Sequence, residues 1–135
     1  MQNFTGPALT VDALIELPDN RILLIKRKWS PFEGQWALPG GFVEIGETVE
    51  EACKREMKEE INVEVEVGKI IGVYSDPSRD PRGHTVGLVF RASIVSGELR
   101  ADDDAKEVGA FTRNELPGLQ IAFDHADVLK DAGWF

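Results

Sequence analysis

An α/β fold with a mixed β-sheet is predicted for this 135-residue chain by three observations. Runs rich in Val, Ile and Leu, of strand length and bounded by turn residues, occupy both halves of the sequence. One strongly periodic helical segment, Thr48 to about Ile61, separates them. A second helical segment, Phe123–Ala132, closes the chain and stops at Gly133. Strands, a central helix, strands again and a terminal helix place a sheet between helices.

Ala8–Leu17 alternates and ends at Pro18-Asp19-Asn20, a turn cluster; Arg21–Lys28 then resumes as a strand, so the two read as a hairpin. Lys28–Gln35 (KWSPFEGQ) is a loop. Trp36-Ala37-Leu38 is a short strand closed by Pro39-Gly40-Gly41, and Phe42–Glu44 follows it. The central helix starts near Thr48, because Thr48 and Glu51 form a capping-box pattern. Val63–Val73 is a strand, Tyr74–His84 a long loop, and Thr85–Ser96 another strand. Glu107–Phe111 is a short strand, and Thr112-x-x-Glu115 is a second capping box at a short turn of helix. No repeat or linker interrupts this order, and the length suits one domain spanning residues 1–135.

The chemistry is concentrated in GGFVEIGETVEEACKREMKEEINV, Gly40 to Val63. Glu56, Glu59 and Glu60 are spaced by three and four, so a helix brings them together. At about 100° per residue, Glu56 and Glu60 fall in line with Val49, Ala52 and Cys53, the main apolar stripe of the segment. Lys54, Arg55, Lys58 and Glu51 take the opposite side. Carboxylates within a buried stripe repel one another and lose hydration, so they need neutralising or pairing. A hard cation with oxygen ligands does this, and Mg²⁺ with phosphate is the usual partner of such a cluster. A solvated helix laced by Glu–Lys pairs would put its charges on the other face.

These residues also carry a family resemblance. Gly41, Glu47, Arg55-Glu56-Met57, Glu59-Glu60, Asn62 and Val63, at their spacing here, resemble the Nudix box, the signature of hydrolases acting on a nucleoside diphosphate linked to another moiety. One position departs, since the family usually has glycine where this chain has Asn62. A helix ends there in a left-handed residue, and asparagine tolerates that conformation next best after glycine. The resemblance implies an α/β/α sandwich with a mixed sheet. It also implies Gly41 as a carbonyl ligand and Glu56, Glu59 and Glu60 as metal ligands, with Mg²⁺ as the cofactor and Mn²⁺ as a substitute.

Composition sets outer limits. A net charge of −9 argues against nonspecific nucleic-acid binding. Bound divalent cations invert the local field, so this charge does not exclude an anionic substrate. The single cysteine, Cys53, excludes an internal disulfide framework, fits a reducing cytoplasm, and sits on the apolar stripe as a structural thiol. No run of about 18 apolar residues marks a membrane span, and Met1–Pro7 lacks the basic start and apolar centre of a signal peptide. A homodimer is compatible with all of this.

Outside the box, several residues are candidates for the site. Arg55 can orient carboxylates by hydrogen bonds, with Glu47 in a similar supporting role. Arg27 ends an apolar strand and is balanced between an exposed edge charge and a phosphate ligand; its guanidinium suits bidentate binding. Trp29, Phe32 and Trp36 read as core or lid packing, and one of them could stack on a base. Arg79 and Arg82 sit in YSDPSRDPRGH, a loop stiffened by two prolines that presents cations from a rigid frame. That loop, with Phe123-Asp124-His125, resembles the ADP-ribose pyrophosphatase branch of the family. His84 and His125 lack zinc-ligand spacing and read as structural. From the acidic run Asp102-Asp103-Asp104 and the nearby Glu107, Glu107 or Asp104 is expected to supply a further ligand or the general base.

The expectation is therefore a cytoplasmic Mg²⁺-dependent hydrolase of a nucleoside diphosphate sugar, with ADP-ribose cleaved to AMP and ribose 5-phosphate. Glu56, Glu59, Glu60, Arg55 and Glu107 form the catalytic set, with Arg27, Arg79 and Arg82 on the substrate. A nucleoside triphosphate pyrophosphohydrolase would use the same box. A nucleotide-sensing module would keep the fold, although such modules commonly lack the metal carboxylates retained here.

Overall fold

The computed structural model describes residues 4–102 and 104–135. Its elements run β1 (Ala8–Ile15), β2 (Ile22–Arg27), β3 (Trp36–Ala37), β4 (Gly40–Phe42), α1 (Val49–Ile61), β5 (Val63–Tyr74), β6 (Thr85–Gly97), β7 (Ala105–Phe111), a short 3₁₀ turn (Leu116–Gly118) and α2 (His125–Asp131). The strands form two sheets, β4-β1-β6-β5 and β3-β2-β7. The first is mixed: β1 runs parallel to β6 from Ala8↔Thr85 to Ile15↔Ala92, and antiparallel to β4.

The expected hairpin between the first two strands does not form. Glu16↔Ile22 is an isolated bridge, and the Leu17 amide donates to the Arg21 carbonyl at 2.8 Å. Beyond that turn the strands part into different sheets, β1 beside β4 and β6, β2 beside β3 and β7. The side-chain pattern explains the parting. Val11, Ala13 and Ile15 of β1 join Leu23 and Ile25 of β2 in the core packed against α1. Leu14, Ile22 and Leu24 point the other way, into a second core with Leu116, Val128, Leu129 and Trp134. Strands buried on both faces are central strands that need partners on both edges. Each therefore nucleates its own sheet, and the helices cover opposite faces.

α1 begins and ends as its sequence dictates. The Thr48 hydroxyl accepts from the Glu51 amide, and the Glu51 carboxylate accepts from the Thr48 amide. Asn62 closes the helix at φ 62°, in the left-handed region, and its side-chain amide donates to the Glu98 carbonyl at 2.8 Å. Ala52, Cys53, Met57, Glu60 and Ile61 are its buried residues. Burial pushes the Cys53 thiol up to about 12, so it is inert packing. α2 is shorter than expected because Phe123 sits at φ 53°, which a helix does not accept. The helix starts two residues later and stops before Gly133, at φ 83°. Among the described residues no helix is long and apolar enough to cross a membrane.

Candidate active site

A cleft of about 490 Å³ opens where α1, the Gly40–Glu44 turn, the end of β2 and the start of α2 meet. All three box carboxylates, Glu56, Glu59 and Glu60, line it. Glu60 is the deepest, 6% exposed, and accepts from the Gly40 amide at 3.0 Å. Burial, with repulsion from Glu56 and Asp12, pushes its carboxyl up to about 8. Glu56 is raised as well, by burial, against the opposing pull of Arg55. A Cβ at Gly41 would lie 2.5 Å from the Glu56 carboxylate, so only glycine lets this backbone approach so closely. The box spacing therefore has a direct structural meaning: it stacks a glycine turn on a helical carboxylate.

Arg55 does not stay on the solvated side of α1. Its Nε and Nη2 grip Glu47 bidentately at 2.6 and 2.9 Å, Nη1 reaches Glu56 at 2.9 Å and Glu59 at 3.1 Å, and Nη2 also reaches the Phe42 carbonyl at 2.9 Å. Those contacts use the whole guanidinium fork. Arg55 thus orients the carboxylates, and Glu47 anchors Arg55.

The floor holds a residue that the sequence reading missed. Asp12 lies in β1 opposite Gly40, 8% exposed, and burial pushes it up to about 7 against the pull of Arg79. His125 faces it, Nε2 to Oδ2 3.6 Å, while its Nδ1 accepts from the Leu38 amide at 3.0 Å. Burial presses His125 down to about 4, so it is neutral with its proton on Nε2. The signal was present, since a lone carboxylate interrupts the apolar run of β1.

The three expected cations part company. Arg79 is a buried tie, its side chain 6% exposed, bound bidentately to Asp124 at 2.9 and 2.8 Å and to the Thr85 hydroxyl at 2.9 Å. Arg82 is the available one, 45% exposed, paired with Asp80 at 2.8 Å and lying over the Phe42 and Phe123 rings. Arg27 lines the cleft over the same Phe123 ring, with Nε donating to the Pro31 carbonyl at 2.7 Å. Burial and then repulsion from Arg82 lower its pKa. Two guanidiniums facing one cleft across one ring form an anion-attracting corner.

Glu107 departs from expectation. It projects from β7 beside Lys26, 3.6 Å away, with its side chain 56% exposed, and it does not line the cleft. Strand alternation is the cause: Glu107 pairs with Lys26 and shares its face, whereas Ile25 and Arg27, one residue to either side of Lys26, line the cleft. Asp104, the other candidate, does line the cleft and raises the carboxyls of Glu56 and Glu60. Asp103 of the same run lies outside the described residues. Of the aromatics, Trp36 packs on Phe111 and Phe32 on Phe123, while Trp29 lines the cleft.

The donor set fits a hard divalent cation. All of the acidic donors are carboxylate oxygens, two are raised by burial and by repulsion from neighbouring carboxylates, and a backbone turn that only glycine permits lies against them. Among the described residues no three acidic, histidine or cysteine side chains already surround a single point. The carboxylates share a cleft, with Arg55 bonded to Glu56 and Glu59 and the Gly40 amide bonded to Glu60.

Comparison with known proteins agrees with this geometry. The NUDIX domain model matches residues 6–132. The chain is 57% identical over 128 residues to an ADP-ribose pyrophosphatase of Methanocaldococcus jannaschii, covering 95% of this chain and 74% of that protein. Among solved structures, it superposes with TM-score 0.82 and 31% identity on a bifunctional NMN adenylyltransferase/ADP ribose pyrophosphatase from Francisella tularensis complexed with AMP and a Mn ion, over 96% of this chain and 42% of that one. The NUDIX domain of Shewanella oneidensis NrtR complexed with ADP ribose superposes with TM-score 0.82 at 27% identity, over 96% of this chain and 88% of that one. With the box carboxylates gathered on α1 and the family match running nearly end to end, this chain belongs to the Nudix family.

Proposed function

We propose that residues 1–135 form one Nudix hydrolase domain that cleaves the diphosphate of ADP-ribose to AMP and ribose 5-phosphate, using Mg²⁺ or, in its place, Mn²⁺. The observation that carries this reading is the Glu56–Glu60 carboxylate pair facing the Gly40–Gly41 turn across a cleft that also presents Arg27 and Arg82. The choice of ADP-ribose is supported by the 57% identical relative.

Glu56, Glu59 and Glu60, with the Gly41 carbonyl, would hold the metal. A bound divalent cation supplies charge neutralisation for the diphosphate and activation of water. Arg55 fixes Glu56 and Glu59 in place, so the carboxylates are oriented before substrate arrives. Arg27 and Arg82 bind phosphate oxygens, and a guanidinium fork suits them. The water oxygen bonds to one phosphorus as the bond from that phosphorus to the bridging oxygen breaks. The other phosphate leaves with the bridging oxygen. The water's proton passes to a cleft carboxylate, either half-exposed Glu59 or Asp104, which takes the place expected of Glu107.

The test is incubation with Mg²⁺ and, separately, ADP-ribose, other diphosphate sugars, dinucleotides and nucleoside triphosphates, with products identified by mass. AMP and ribose 5-phosphate are expected from ADP-ribose. Release of pyrophosphate from triphosphates, with ADP-ribose left intact, would replace this reading by the sanitising one.

A further inference from the structure

We propose that Trp29 is the platform on which the nucleobase of the substrate stacks, so that the nucleoside end lies against the loop following β2. The inference rests on the diphosphate-sugar reading above and adds its base-recognition residue. Trp29 lines the cleft yet keeps a side chain more than half exposed, at 56%. The other two tryptophans are spoken for. Trp36 stands edge-on to Phe111 with centroids 4.8 Å apart, and Trp134 is 2% exposed with its indole N–H bonded to Glu16. Phe42 also reaches the cleft, 44% exposed, but its single six-membered ring offers a base a smaller face than the Trp29 indole.

An exposed indole loses apolar hydration only when something flat covers it, and a nucleobase has that shape and a π-face. The loop that carries Trp29 is held in place, which keeps the ordering cost of stacking small. Arg27 donates to the Pro31 carbonyl, Gly34 donates to the Arg27 carbonyl at 2.8 Å, and the Lys28 amide donates to the Asp104 carbonyl at 3.1 Å. Lys28 Nζ lies over the Trp29 ring, 5.4 Å from its centroid, a cation–π contact that a stacking base would share or displace. Stacking reads area rather than hydrogen-bond pattern, so purines are favoured over pyrimidines with little distinction between adenine and guanine.

The experiment uses the whole protein with the divalent metal removed by chelation, so that binding is read without turnover. AMP and ribose 5-phosphate are titrated separately by calorimetry against the parent, Trp29→Ala and Trp29→Phe. Trp29→Ala is expected to weaken AMP about five- to a hundredfold, the range found when stacking aromatics are truncated, and to leave ribose 5-phosphate unchanged. Trp29→Phe is expected to recover most of the loss. AMP should quench the tryptophan fluorescence of the parent and not that of Trp29→Phe. Unchanged AMP affinity in Trp29→Ala overturns the proposal. So does a loss confined to ribose 5-phosphate, which would seat the sugar end on Trp29, and so does failure of phenylalanine to rescue. If the binding results hold while no diphosphate sugar is hydrolysed, the base platform stands and the proposed reaction falls.

Discussion

Asp124 receives two nitrogens of the Arg79 fork, at 2.9 and 2.8 Å, and so ties the Ser75–His84 loop to the start of α2 across 45 residues of sequence. The pair is largely buried, with side chains 6% and 20% exposed. It braces the wall of the cleft that carries Asp80 and Arg82, next to the cleft-lining Phe123. A cation that reads in the sequence as a substrate ligand is in the fold a fastener.

Arg79→Ala is therefore expected to act on stability. Removing one partner of a buried pair strands the other, at a cost of about 3–5 kcal/mol when both are fully buried. Asp124 keeps some water, so about 2–3 kcal/mol is expected here. Urea denaturation should show a lowered midpoint with little change in slope. A midpoint equal to the parent's would mean the tie contributes nothing.

Arg82→Ala is expected to act on substrate binding as well. Its guanidinium is 45% exposed, but its partner Asp80 has a side chain only 5% exposed and keeps just the Arg82 amide at 2.9 Å after the change, so some stability is lost as well. Losing a charge-assisted bond to phosphate, about 1.5–3 kcal/mol, should raise KM for ADP-ribose roughly ten- to a hundredfold. A contact made equally in ground and transition states leaves kcat nearly unchanged. Steady-state kinetics at a temperature where the variant stays folded decide it; a fall in kcat at constant KM would move Arg82 into the chemistry.

The contrast shows what a single sequence can carry. The cap at Thr48, the carboxylate spacing on α1 and the stop at Asn62 are local, so chain order alone specifies them. The Asn62–Glu98 contact, the Arg79–Asp124 tie and the separation of β1 and β2 into two sheets depend on which segments meet in space. Glu107 misled for a related reason: a one-residue choice of strand register decides which neighbour faces the cleft, and register is fixed by pairing with β2. Asp12 was legible in principle as a carboxylate within an apolar strand, but only the fold brings Gly40 and His125 to it.

Gly41→Ala tests the close approach of turn and helix. A methyl group there would sit 2.5 Å from both the carboxyl carbon and Oε1 of Glu56, a distance that forces the carboxylate aside. Glu56 belongs to a flexible side chain, so the fold should survive with a change in melting temperature of a few degrees. Activity should fall at least about tenfold, because misplacing a ligand group of this kind costs that much or more. Parental activity in the alanine variant would mean that Glu56 works from another rotamer.

Glu60 makes stability and metal binding depend on pH in opposite senses. Its carboxyl is raised by burial from 4.5 to about 8, so between those values the folded protein holds a proton that the unfolded chain has released. Stability from this group is complete below about 4.5 and is lost as pH rises through about 8. His125, pressed down from 6.5 to about 4, works the other way, and its contribution changes only below about 6.5. Asp12, raised to about 7, runs with Glu60. From pH 6.5 to 8.5, then, the metal-free protein should melt at progressively lower temperature. Over the same interval Mg²⁺ should raise the melting temperature more and more, because the cation displaces the proton from Glu60 and competes better as protons grow scarce. Glu60→Gln keeps an oxygen for the Gly40 amide but has no proton to lose and no charge to offer a cation. It should flatten part of the metal-free slope, leaving Asp12's share, and remove most of the Mg²⁺-induced rise. Activity should fall about a hundredfold or more, beyond the cost of losing a supporting group. Melting curves with and without Mg²⁺ at pH 6.5, 7.5 and 8.5 decide the matter. If Mg²⁺ stabilises Glu60→Gln as strongly as the parent at pH 8.5, the cation is held elsewhere and α1 is not its site.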